Sequence, residues 1–268
     1  MNGITKMVFQ CLLLLILTSC GSKMNDQPAT GKLQIQFVHR VYGKSLVKDQ
    51  MIYTNTAGNN YEISGLKYFI SDVQLHRHDG KTITLDTAKR AHYVDIDIPG
   101  TLTWLVTDGI APAVYDSISF TFGLNEQVNK SNHFVNPPES NMAWPDVLGG
   151  GYHFLMMDGW FNNTLGVRTP FNFHLGTGQI YTVGMDTKNI TGFVQNYFHV
   201  SLPMSTFEIK ANQTKPVLFI MNIDSWFTTP VKWDFNQWNT MIMQNQNAMQ
   251  AIKSNGNDVF SFDTEFMF

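Results

Sequence analysis

Apolar and polar residues alternate along most of this chain with a period of two. Leu33, Ile35 and Phe37 alternate with Gln34 and Gln36, the pattern of a half-buried strand. Residues 61–75 (YEISGLKYFISDVQL) are rich in Ile, Tyr, Phe and Val. Asp79-Gly80 then supplies a turn before Thr82 to Leu85, so 68–86 reads as a hairpin. Tyr93 to Ile98, Ser117 to Leu124, Tyr152 to Met157, Phe171 to Leu175, Tyr197 to Leu202 and Val217 to Ile223 continue the series. Short strands at such spacing, separated by turn residues, predict an all-β sandwich. Helical spacing appears near the end. There Asp234 can cap a helix carrying Trp238, Met241, Ile242, Asn245, Met249 and Ile252, and Gly256 can end it. Asp258 to Phe268 reads as a closing strand.

One stretch breaks the pattern. Residues 125–150 hold five asparagines, Pro137, Pro138, Pro145 and the start of Gly149-Gly150-Gly151. A loop this long between two strong strands is usually functional or disordered, and Met142 and Trp144 inside it argue against disorder.

The first residues follow another logic. Lys6 precedes an apolar run from Val8 to Leu17, then Leu17-Thr18-Ser19-Cys20 has the lipobox form. This predicts an export signal over 1–19 and a lipid on Cys20, tethering the protein to a membrane of the cell envelope, the outer membrane being the expected one. The run is about half the roughly 20 residues a spanning helix needs. Cys11 leaves with the signal, so the mature chain keeps no cysteine for a disulfide or a thiolate site. Residues 20–31 are polar and read as a tether, leaving 32–268 as one domain. Loss of Lys6 takes the formal charge from −3 to −4, which gives no electrostatic case for nucleic acid.

Enzyme signatures are missing: the chain has no phosphate loop, no dinucleotide-binding glycine motif, no HExxH and no GxSxG. Asp95 and Asp97 share a strand face and fit a solvated surface better than a glycosidase pair. Metal binding must then rest on histidine. His76 and His78 flank the Asp79-Gly80 turn and read as surface residues; His39 and His92 stand apart in the sequence. His153 follows the glycine run and His174 ends an apolar strand, so both can face a cluster of loops. A rival reading makes this a glycan- or protein-binding lipoprotein with Trp104, Trp160 and Trp226 as stacking platforms.

Several segments together resemble the MbnP-like family, the methanobactin-associated copper-binding proteins of bacterial envelopes. They are Phe120 to Asn125, Asn141-Met142-Ala143-Trp144-Pro145, Gly149 to Phe154, Asp158-Gly159 and Phe173 to Gly176, with Leu66 to Val73 and Asn255 to Phe260 adding to the likeness. The resemblance implies an immunoglobulin-like β-sandwich and no catalysis. It also implies copper held by His153 and His174, with Met142 as a soft donor suited to Cu(I). Trp144 is the candidate for oxidation to kynurenine by a di-haem, MauG-like partner enzyme. This chain has Ser140 and Asn141 where copper-binding relatives are expected to carry a histidine just before the Met-x-Trp. Trp144 is expected at the mouth of the site, partly accessible, because Pro145 and Asn141 are loop formers. Copper affinity is expected to fall as pH drops through roughly 6.5.

Overall fold

The computed structural model describes residues 28–85, 90–240 and 242–265. The expected signal, the lipidated Cys20 and most of the tether lie outside the described residues. No helix among the described residues is long and apolar enough to cross a membrane.

The chain begins with β1 (Gly31–Val41), whose alternate side chains Leu33, Ile35 and Phe37 are buried as the period of two predicts. Two short strands follow, β2 (Lys44–Ser45) and β3 (Tyr53–Thr54), and then the 18-residue β4 (Asn60–Arg77). β5 (Thr82–Thr84), β6 (Ala91–Asp95), β7 (Thr103–Ile110) and β8 (Ala113–Phe122) come next. After the long loop come β9 (Leu155–Asn162), β10 (Arg168–Leu175), and a ribbon of β11 (Gly178–Tyr181) and β12 (Ile190–Val194). β13 (Phe198–Leu202), β14 (Phe207–Ile209), β15 (Thr214–Asn222), the helix α1 (Gln246–Asn255) and β16 (Phe260–Asp263) complete the fold.

These strands form the expected sandwich. In the smaller sheet β1 pairs in parallel with β15 and antiparallel with β7, and β16 closes the other side of β15. The larger sheet is built on β4. Its inner face meets the smaller sheet through rings such as Phe37 on Tyr68 and Phe120 on Phe219, burying the apolar area that drives folding.

β4 is long enough to take two partners end to end on one side. Lys67 and Tyr68 pair with β6 on one side and β9 on the other; Ile70 and Ser71 pair with β6 and β8. Hence β8 and β9 occupy the same side of β4, one beyond the other. The junction falls at Phe69, whose N–H donates to the Phe154 carbonyl and whose carbonyl accepts from Gly123 N–H. The outer neighbours repeat the arrangement, since β10 pairs β9 and β13 pairs β8. Two excursions of the chain, 123–154 and 176–197, therefore leave the sheet at one break and return there.

Sequence and structure differ in places. The helix starts at Gln246 with Asn245 as its cap, because Asp234 instead closes a tight turn onto Asn236, Gln237 and Trp238. The strand expected from Tyr152 begins at Leu155, since residues 151–153 pair with the loop rather than with β4. Asp95 is buried, not solvated, and accepts from the Tyr93 hydroxyl.

Candidate metal centre

The first excursion folds back over the outer face of the larger sheet. It carries its own small core: Phe134 stacks on Phe69, and Tyr152 meets both rings edge-on. Gly149, Gly150 and Gly151 all take positive φ, a conformation glycine adopts without penalty, and this turns the chain back on itself. The two limbs then clasp. Trp144 N–H donates to the Gly151 carbonyl at 2.8 Å, and His153 N–H donates to the Met142 carbonyl at 2.7 Å. One residue later Phe154 N–H donates to the Leu175 carbonyl, which seats the loop against the end of β10.

That seating brings His153 to His174. Their rings stand perpendicular with centroids 5.1 Å apart, and both side chains are buried. Trp144 completes the group, its ring 4.6 Å from that of His153. His174 points outward from β10, because Phe173 and Leu175 on either side of it fill the sandwich interior. The group thus lies at the break in the sheet, on its outer face, rather than at an end of the sandwich.

Each imidazole is oriented by a group that can only accept. His153 Nδ1–H donates to the Met142 carbonyl at 3.0 Å, which leaves its lone pair on Nε2. His174 Nε2–H donates to an oxygen of Asp158 at 2.8 Å, which leaves its lone pair on Nδ1. That Nδ1 is buried and has no hydrogen-bond partner. Leaving a buried polar atom unpaired costs about 1–3 kcal/mol, so folded proteins seldom do it without a reason. A backbone carbonyl behind one ring and a carboxylate behind the other is how proteins hold metal-ligating histidines.

The charges agree. Burial, helped by the nearby His174, pushes His153 down to about 4, so this ring is neutral at pH 7. Burial alone would raise the Asp158 carboxyl, but hydrogen bonds from His174 and Asn172 hold it below its usual range.

Trp144 corrects the expectation of a partly accessible ring, with 2 % of its surface exposed. Its Nε1–H donates to the Leu148 carbonyl at 3.2 Å, and the benzenoid edge lies on Gly176. A cavity of about 430 Å3 lined by Ser131, Phe134, Trp144 and Tyr152 opens beside it. A β-carbon on Gly176 would stand 2.5 Å from Trp144 Cε3. Gly176→Ala is expected to displace the indole and destabilise the protein by about 1–3 kcal/mol, seen as a changed Trp emission and a lower thermal midpoint. An unchanged midpoint and spectrum would mean the ring is loosely held.

Met142 meets His153 through its backbone oxygen, while its side chain belongs to the hydrophobic core. Among the described residues no three His, Cys, Asp or Glu side chains are grouped to hold an ion. Other histidines are engaged elsewhere: His39 with the Tyr68 hydroxyl, His76 with Ser119 and Thr82, His78 with Asp116, and His92 between Phe37 and Trp104. Met249 accepts from Asn196, which also donates to the Gly176 carbonyl and pins α1 beside β10. The rival stacking platforms do not form, since Trp104 and Trp226 are buried and the Arg168 guanidinium covers Trp160 at 4.0 Å. Asp158 escaped the reading of the sequence as a site residue, although it lies within the motif Asp158-Gly159.

The family model that matches this chain is MbnP, over residues 30–248. Among solved structures, MbnP from Methylosinus trichosporium aligns with a TM-score of 0.55 at 15 % identity, covering 88 % of this chain and 99 % of that one. No curated protein matches.

Proposed function

Because this chain belongs to the MbnP family, which is associated with the cell envelope, we propose that it is a non-catalytic envelope protein that holds copper as Cu(I) between His153 and His174. The observation that carries this reading is His174 Nδ1, a buried lone pair without a partner, 5.1 Å ring to ring from a second oriented imidazole. Imidazole serves copper in either oxidation state, and low coordination with soft neighbours favours Cu(I). Zinc would ask for four ligands of harder type, and the described residues offer no third such side chain here. Asp158 would balance the ion's charge from behind His174.

Anaerobic Cu(I) titration against a chromophoric competitor, followed by metal analysis, tests the proposal. One ion per chain, held more tightly than Zn2+, is expected. Wild-type protein that takes up no copper would end it.

Two further parts of the reading have their own tests. Cys20 is proposed to carry lipid, so Cys20→Ala should leave the detergent phase and accumulate as precursor or soluble protein. If it fractionates as wild type does, the anchor is wrong. Trp144 is proposed as the residue a di-haem partner oxidises, reached by way of the cavity beside it. The mass of the Trp144 peptide from native material should then differ from that of protein made without the partner.

A further inference from the structure

The register of the larger sheet singles out a residue that the Met-x-Trp motif does not contain. Met156 on β9 stands directly across from His174 on β10, and across from Lys67 on β4. Directly opposed residues of antiparallel strands project from the same face, with β-carbons about 5 Å apart. Leu155 and Met157 fill the interior, while Met156 is half-buried and shares the outer face with His174 and Asp158. Its flexible side chain carries a polarizable thioether within reach of the imidazole beside it. Lys67, the other neighbour in this row, has its ammonium 3.8 Å from Asp95 on β6, on the side away from His174.

We propose that Met156 supplies the sulfur of this centre and sets its preference for copper(I), an inference that rests on the copper reading above. Three observations converge. His174 presents an unpartnered Nδ1 on the face that Met156 shares. The described residues provide no third His, Cys, Asp or Glu to complete a harder site. Met142 meets His153 through its carbonyl, which accepts from both the backbone and the ring of that histidine, whereas Met156 shares a cross-strand row with His174. Two imidazoles and one thioether make a neutral, soft, three-donor set. Such a set suits Cu(I) and disfavours Cu(II) and Zn(II).

The test uses the full-length protein loaded anaerobically with Cu(I), alongside Met156→Leu and Met142→Leu. Leucine nearly conserves volume, so both variants should fold, with circular dichroism and thermal midpoints as the check. X-ray absorption at the copper edge is expected to show one sulfur neighbour in the wild type and in Met142→Leu, and none in Met156→Leu. Cu(I) affinity of Met156→Leu should fall by about tenfold or more, with Cu(II) affinity unchanged. Survival of the sulfur neighbour in Met156→Leu, or its loss in Met142→Leu, overturns the assignment. A wild-type centre with nitrogen neighbours alone also overturns it while leaving the two-histidine reading intact. Wild-type protein without copper brings down both.

Discussion

Removing either imidazole, in His153→Ala or in His174→Ala, is expected to lower Cu(I) affinity by at least about a hundredfold. In the proposed centre the two rings would supply both nitrogen donors, and each has its lone pair presented by the group that holds its other nitrogen. Loss of a partner behind a ligand commonly costs 10–100-fold in metal affinity, and loss of the ligand should cost no less. Asp158→Asn keeps the shape of the side chain and removes its charge, so a smaller loss of about tenfold is expected there. His76→Ala is the control, because that ring bonds Ser119 and Thr82 elsewhere on the sheet. Competition titration of the four variants decides the matter. Equal affinities for wild type and His174→Ala would make His174 a structural residue, and the centre would have to be sought elsewhere.

The second large effect concerns the metal-free protein in acid. His39 and His153 are both buried, and burial lowers each to about 4. In the unfolded chain both take up a proton near 6.5. Between about pH 6.5 and 4 the unfolded state therefore binds more protons, and stability falls as pH falls. The full stability is present above about 6.5. At pH 5 each histidine should have cost about 2 kcal/mol, from roughly 1.4 kcal/mol per pH unit. Asp158, lowered rather than raised, gives up its contribution only below the ordinary carboxylate range, outside this window. Chemical denaturation at pH 7 and pH 5 measures the difference. His39→Phe, which removes one of the two groups, should roughly halve it. A stability that does not change between pH 7 and pH 5 would mean that neither ring is kept neutral by burial.

Much of the frame was legible because it is written locally. The alternation of Leu33, Ile35 and Phe37 places β1 and its buried face without further knowledge. The Asp79-Gly80 turn likewise sets the hairpin of β4 and β5. The strand β7 and the ribbon of β11 and β12 carry no such local signal, for their sequences alternate weakly and Ile180 and Phe193 are exposed. The pairing of His153 with His174 was expected, whereas its position was not. The break in the sheet depends on Phe122 and Leu155 ending beside one residue, Phe69, and no short pattern states that. Asp158 and Met156 reach His174 through strand register, which appears only when β9 and β10 are laid side by side. Pro145 and Asn141 speak for a surface loop, and with it for an accessible Trp144, yet the ring is buried. That loop brings its own rings to cover Phe69, and the indole sinks with them.

The break in the larger sheet also bears on how such proteins can diverge. Both excursions begin and end at the same gap, and the first is tied to β4 by its end residues, Gly123 and Phe154, which bond the backbone of Phe69. Changes of length inside 123–154 or 176–197, away from those end residues, leave the strand pairings of the sandwich in place. His174, Asp158 and Met156 stay behind on the frame, while His153 and Trp144 travel with the insert. The scaffold is in this sense a socket that would hold two of the three proposed donors, His174 and Met156. Relatives that exchange the plug would keep the fold, change the ion or its oxidation state, and share little sequence in the part that decides it.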